Sequence, residues 1–127
     1  WVWGTFFLFR REVLESFPEE KLPEDFFMYY EDVQWCHAIR KKGFDVLYYP
    51  DFKVLHHLSA SANSSFIHQK KLKLLINNER TFLKKEFGLF YVFVLYQLRS
   101  IKMFSLRRRE FFEVGSLYFK ASLGRGL

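Results

Sequence analysis

Residues 26–43 read FFMYYEDVQWCHAIRKKG and contain the clearest helix signal in the chain. An aromatic run ends at two adjacent carboxylates, Glu31 and Asp32, and three consecutive cations precede Gly43. Acidic residues in a first helical turn and basic residues in a last turn both complement the helix dipole. Glycine then supplies a left-handed stop. The pattern therefore predicts a helix from Glu31 to Lys42.

The segments on either side of this helix have the character of strands. Residues 1–9 are aromatic and apolar with few breaks, which is typical of a buried strand. Residues 44–49 and 52–56 predict two further strands around a turn. A short helix is expected over residues 10–17, followed by a loop bounded by two prolines.

From Phe66 onward the pattern changes to amphipathic helices. Apolar residues share one helical face with lysines between them, and Gly88 interrupts this pattern. Residues 89–98 are almost entirely apolar but too few to span a bilayer, which needs about 20 apolar residues. Two interpretations stay open, an interfacial helix with cationic flanks that suit anionic lipid headgroups, or packing inside a helical bundle. Two apolar stripes carry the pattern: Leu72, Leu75, Ile76, Leu83 and Phe87, then Phe111, Val114, Leu117, Tyr118 and Ala121.

Length and charge narrow the class of protein. The 127 residues are about one domain's length, and the formal net charge is +6. No acidic residue follows Glu113, so the C-terminal part is the basic part, as in a surface-binding tail. Cys36 is the single cysteine, which excludes a disulfide within the chain and favours a buried structural thiol over a nucleophile. No RNA-binding signature accompanies the basic residues.

Two clusters carry side chains suited to chemistry. Glu31 and Asp32 open a helix after an aromatic run, where a carboxylate is either a cap or a rigidly held base. His56 and His57 end a predicted strand, so one imidazole faces a cleft and the other faces away. One imidazole with carboxylates from elsewhere could hold a divalent ion, although isolated histidines are more often structural. His37 and His68 have weaker claims, and the phosphate-loop and serine-elbow motifs are absent from the sequence.

The order of these pieces resembles the C-terminal half of family 2 glycosyltransferases, above all the rhamnosyltransferase-type members that build bacterial surface polysaccharides. The resemblance covers roughly residues 1–88. Its first matching run is GTFFLFRREVLESF, at residues 4–17. The family often has an acidic residue two positions after its Glu-Asp pair, and this chain has Gln34 there. The matching positions are Phe26, Phe27, Tyr29, Glu31, Asp32, Arg40, Gly43, Tyr48, Pro50, His56 and Ser61.

The resemblance implies a fold and a site. Residues 1–63 would be the C-terminal half of a GT-A catalytic domain, an α/β Rossmann-like fold, and residues 64–127 a helical, membrane-associated tail. Asp32 would be the base of an inverting sugar transfer, and Glu31 would orient it or contact the acceptor. His56 would lie near a divalent metal, Mg or Mn, at the diphosphate. The nucleotide-binding strands and the Asp-x-Asp motif of the family are expected before Trp1, so this fragment alone would turn over poorly.

The resemblance also implies partners and a location. A nucleotide-sugar donor and a lipid-linked or glycan acceptor would meet at the inner face of the plasma membrane, with the enzyme cytoplasmic and peripheral. No nucleic-acid partner is expected. The alternative is a non-enzymatic membrane-surface module in which the helices from Phe66 are the function. A third hypothesis is an RNA-binding domain driven by the +6 charge.

Overall fold

The chain folds into two compact units, Trp1–Ala62 and Asn63–Leu127. The structure, a computed structural model, describes residues 1–55, 65–106, 109–125 and 127. Of these residues 62% are helical and none lies in a strand or sheet. The described chain is therefore all-α, and the expected α/β fold with a GT-A sheet is wrong.

The first unit is built around two helices. Helix α1 spans Arg11–Glu15, a 3-10 turn follows at Pro18–Glu20, and helix α2 spans Glu31–Lys41. Both helices form within the ranges that the sequence predicts. Val13, Phe17 and Ile39 form the buried core between them. The partly buried side chains that pack on this core are Phe7, Leu22, Trp35, Ala38, Phe44 and Val46.

Gly43 ends α2 as the sequence predicts. Its φ is 87°, a left-handed value that glycine adopts without strain. The Gly43 N–H donates to the Arg40 carbonyl at 2.9 Å, and the Phe44 N–H donates to the Ile39 carbonyl at 3.3 Å. This pair of bonds is the Schellman arrangement, which satisfies carbonyls that the helix end would leave without partners.

The strands expected over residues 1–9, 44–49 and 52–56 are absent from the described residues, and His56 itself lies outside them. A strand requires a neighbouring backbone that completes its hydrogen-bond ladder, and these segments do not pair with one another. Several of their large side chains remain exposed, including Trp1, Leu8 and Leu47. Aromatic and β-branched residues favour strands, but this preference does not provide the neighbouring strand that a sheet requires.

The second unit contains helix α3, Ser65–Ser105, and helix α4, Arg109–Ser122. Helix α3 is broken at Gly88, whose φ of 87° and ψ of 168° are not helical. The Tyr96 hydroxyl donates to the Ile76 carbonyl at 3.1 Å. In a straight helix these residues would lie about 30 Å apart. Residues 65–87, the first arm of α3, and residues 89–105, the second arm, therefore fold back against each other.

Polar contacts fix α4 against both arms of α3. The Arg80 Nε–H of the first arm donates to the Ala121 carbonyl at 2.8 Å. The Ser100 hydroxyl of the second arm donates to the Gly115 carbonyl at 2.9 Å. Gly115 lets the backbones approach closely, because a Cβ there would lie 2.9 Å from Cε1 of Phe104. From the apolar stripes predicted by the sequence, Ile76, Leu83 and Ala121 are buried here, whereas Phe87 is exposed.

One described segment, Gln69–Ser105, is long and apolar enough to cross a membrane, judged by length and composition alone. The fold-back at Gly88 divides that segment into two shorter helices. The second arm has 17 residues and spans about 25 Å, less than the roughly 30 Å of a hydrocarbon core.

Candidate functional site

The start of α2 has an unusual backbone. Tyr29 and Tyr30 have φ values of 62° and 78°, in the left-handed region that non-glycine residues rarely adopt. Tyr30 is the N-cap residue, and its side chain makes no capping hydrogen bond. Its ring meets the buried Phe26 ring edge to face, with centroids 6.2 Å apart. Strained backbone of this kind is retained where the surrounding packing dictates it, and it aims the first turn of α2.

Asp32 lies in that first turn and is partly exposed. Its Oδ1 accepts from the Val33 N–H at 2.8 Å, and its Oδ2 accepts from the Gly4 N–H at 3.3 Å. Each carboxylate oxygen offers two lone pairs, so both oxygens keep acceptor capacity for a ligand. The carboxylate is thus held in one orientation by backbone donors and still reaches solvent.

Residues 1–4 run antiparallel to α2. The Val2 N–H donates to the Cys36 Sγ at 3.5 Å, while Gly4 contacts Asp32 one helical turn earlier. Asp32 and Cys36 share a helix face because they are four residues apart. Cys36 is buried, in agreement with the structural thiol predicted from sequence. This contact fixes the position of the Asp32 carboxylate from outside its own helix.

Glu31 and Gln34, near the start of α2, each carry one buried acceptor oxygen. The Oε2 atom of Glu31 and the Oε1 atom of Gln34 are buried, and neither finds a hydrogen-bond donor in the described part of the chain. The Gln34 Nε2 group donates to Asp25 Oδ2 at 2.6 Å, which fixes the amide orientation. A buried oxygen without a donor is unfavourable. Both oxygens are closed off from solvent, so they are a local cost of the packing around α2.

The predicted metal site has no counterpart in the described residues. His56 and Ser61 lie outside them, so the metal-ligand role of His56 stays a prediction. Within the described ranges no three histidine, cysteine, aspartate or glutamate side chains gather where they could hold an ion. The expectation of Mg or Mn therefore stays a prediction, as does the role of His56. Arg40, whose match to the family is structural, is exposed in the last turn of α2.

A second polar cluster lies inside the second unit. Arg99 forms an ion pair with Glu79, and the Tyr96 hydroxyl donates to Glu79 Oε2 at 3.2 Å. The Arg99 guanidinium also lies over the rings of Tyr96 and Tyr118. Burial, with the Glu79 charge, raises the pKa of the Tyr96 and Tyr118 hydroxyls above the ordinary value of tyrosine. Every member has a protein partner, so this cluster fastens the helices together.

The sequence predicted a site at Glu31 and Asp32, but it did not predict that Gly4 contacts Asp32 or that Asp25 contacts Gln34. Gly4 and Asp25 were not singled out, because no periodic pattern links them to α2. The Glu79–Arg99 pair was also missed, since the predicted break at Gly88 did not reveal that the two arms meet. Arg99, a lone charge within the apolar second arm, was the available signal that a carboxylate partner lies nearby.

No protein-family model, no curated protein and no solved structure matches the chain.

Proposed function

We propose that this chain is part of an inverting glycosyltransferase in which Asp32 accepts the proton of the acceptor hydroxyl. The observation that supports this role best is the hydrogen bond from the Gly4 N–H to Asp32 Oδ2, 3.3 Å. It holds a partly exposed carboxylate in one orientation at the start of α2. The described residues contain no sheet, so the fold does not support the proposal. Its other support is the order of residues, which resembles that of family 2 glycosyltransferases.

A fixed carboxylate suits this reaction. The acceptor hydroxyl transfers its proton to Asp32 while its oxygen attacks the anomeric carbon of the donor sugar. The bond from that carbon to the nucleoside diphosphate breaks, and the leaving group takes the electron pair. Attack from the face opposite the leaving group inverts the anomeric configuration. A positioned general base typically contributes 10²–10⁴-fold to such a step.

Glu31 supports the same role from the adjacent position. The Glu31 residue is partly exposed, and a carboxylate accepts hydrogen bonds from the hydroxyl groups of a sugar. We assign Glu31 to acceptor binding and Asp32 to proton transfer. The expected acceptor is a lipid-linked or polysaccharide glycan, and the donor is a nucleotide sugar.

The test is a transfer assay on the product of the complete reading frame that encodes this sequence. Nucleotide-sugar donors are incubated singly with bacterial lipid extracts or polysaccharide, and nucleoside diphosphate release is measured. The anomeric configuration of the product is then determined by NMR. The proposal expects release with at least one donor and inversion at the anomeric carbon. Retained configuration contradicts the assigned mechanism, and bilayer binding without any transfer supports the non-enzymatic membrane module instead.

A further inference from the structure

The second arm of α3 carries an apolar face that no described residue covers. Phe90, Val94, Leu98 and Ile101 follow one another at helical spacing and are all exposed; Phe90 is 81% exposed and Ile101 61%. The opposite side of the same arm, with Val92, Tyr96 and Ser100, is buried. One side of the arm therefore packs against the rest of the unit, and the other side is apolar and exposed to solvent. We call the bare side the α3 face.

The α3 face contains no charge. Residues 87–109 include no aspartate or glutamate. Arg99 points to the interior, where it pairs with Glu79. Among the described residues of the second arm, the exposed cation is Lys102, which directly follows Ile101. A cation beside an apolar aromatic face is a feature of helices that lie at a lipid interface.

The net charge of the second unit indicates that its partner is negatively charged. Residues 63–127 contain thirteen lysines and arginines and four acidic residues, a formal net charge of +9. The first unit has seven basic and ten acidic residues, a net charge of −3. The α3 face therefore belongs to a strongly cationic unit, which anionic lipid headgroups attract. Two copies of this unit repel each other.

The size of the α3 face also disfavours a second copy. Twelve residues of helix, from Phe90 to Ile101, are about 18 Å long, and a helix with its side chains is about 10–12 Å wide. The face is thus about 200 Å² in projection. A stable dimer buries about 800 Å² on each partner. A bilayer needs no matching surface, and it accepts a single helix face of this size.

We propose that the α3 face docks on an anionic phospholipid bilayer, with the second arm lying in the interface plane and the first arm and α4 on its water side. Spanning is disfavoured because the arm is short and because its other face carries the Arg99–Glu79 pair. This proposal does not depend on the catalytic role of Asp32.

The test measures flotation of the chain with vesicles of 70% phosphatidylcholine and 30% phosphatidylglycerol, and with pure phosphatidylcholine vesicles. Binding is expected to favour the anionic vesicles at least tenfold at 0.1 M NaCl. A measurable part is expected to remain at 1 M NaCl, because apolar insertion is not screened by salt. If vesicle binding disappears at 1 M NaCl, and if the chain binds polyuridylate as tightly as it binds the anionic vesicles, the surface is an electrostatic, RNA-type surface. That result overturns the proposal.

The matched variants are Leu98→Glu on the α3 face and Leu47→Glu in the first unit, where Leu47 is also exposed. Both replace an exposed leucine with one negative charge, so the change in net charge is the same. Leu98→Glu is expected to reduce vesicle partitioning at least tenfold, and Leu47→Glu less than twofold. Equal losses in both variants overturn the proposal, as does Leu98→Glu abolishing self-association in lipid-free buffer. Circular dichroism confirms that both variants keep their helices.

Discussion

At the scale of single residues, two ionisable side chains, Asp32 and Tyr96, lie in different environments. Asp32 is partly exposed and takes its hydrogen bonds from backbone N–H groups. Tyr96 is fully buried and takes part in a closed network with Glu79 and Arg99. The Asp32 carboxylate can still accept hydrogen bonds from a ligand, whereas the groups around Tyr96 are all bonded to one another. Function is therefore expected at Asp32 and stability at Tyr96.

The Tyr96 hydroxyl gives a prediction about pH. Its folded-state pKa is raised above the ordinary value of about 10, chiefly by burial. A raised pKa means that the folded state holds the proton more strongly than the unfolded state. The stability from this group is complete below about pH 10 and is lost as the pH rises toward the folded pKa. We expect the urea midpoint to fall above pH 10, with Tyr118 contributing in the same direction.

Tyr96→Phe is the variant for that prediction. It removes the hydroxyl that bonds to Ile76 and Glu79, and we expect a loss of about 1–2 kcal/mol of unfolding free energy at pH 7. The variant's stability is expected to fall less steeply above pH 10. Tyr49→Phe, at an exposed ring, is the control and leaves both quantities unchanged. An unchanged alkaline slope in Tyr96→Phe contradicts the assignment.

At the scale of helices, two glycines decide the second unit for different reasons. Gly88 supplies a backbone conformation, since nothing lies within 4 Å of the Cβ it lacks. Gly115 supplies space, since a Cβ there would lie 2.9 Å from the Phe104 ring and 3.1 Å from the Met103 Cβ. The first glycine creates the fold-back, and the second lets α4 approach it.

Replacing Gly88 by alanine tests the fold-back. Its φ and ψ of 87° and 168° lie in a region used almost only by glycine, and forcing alanine there costs about 1–3 kcal/mol. We expect the thermal midpoint of the helical circular dichroism signal to fall. Gly4→Ala is the control, because its added Cβ meets only an ordinary 3.4 Å contact. A variant at Gly88 as stable as this control would mean that the arms do not turn there.

Replacing Gly115 by alanine tests the close approach of α4. The methyl group gains about 1 kcal/mol of helix propensity but collides with Phe104 and Met103, which costs about 1–3 kcal/mol. We expect a net loss of about 1 kcal/mol in urea unfolding. Phe104→Leu in the same chain removes the nearest clash and is expected to recover part of the loss. Strictly additive effects of the two changes would show that the residues are not in contact.

At the scale of the whole molecule, the helices predicted from the sequence are present in the described residues, whereas the predicted sheet is not. The boundaries of α2, its left-handed stop at Gly43 and the break at Gly88 were readable, because capping and backbone conformation are local properties. The strands were wrong because a ladder depends on a partner that no local pattern reports. The position of Glu31 and Asp32 in the first turn of α2 was predicted correctly, because acidic residues at a helix start are a local signal. The contact between Gly4 and Asp32 was not found, because it joins residues 28 positions apart.

The division of charge links the two proposals at this scale. The unit that carries Asp32 has a net charge of −3, and the unit that carries the α3 face has a net charge of +9. A cationic unit that holds the chain on an anionic bilayer would raise the local concentration of lipid-linked acceptors. The catalytic and docking proposals remain separable, because vesicle binding is measured without donor and transfer is measured on soluble polysaccharide.

The most direct test of the central claim is the turnover of Asp32→Asn, measured beside donor binding in the product of the complete reading frame. Asparagine keeps the size of the side chain and a carbonyl that accepts from Gly4, but it does not take a proton. We expect transfer to fall about 10²–10⁴-fold with the donor dissociation constant changed less than twofold. Asp45→Asn, at an exposed carboxylate, is expected to retain full activity. Near-normal turnover in Asp32→Asn would contradict the account.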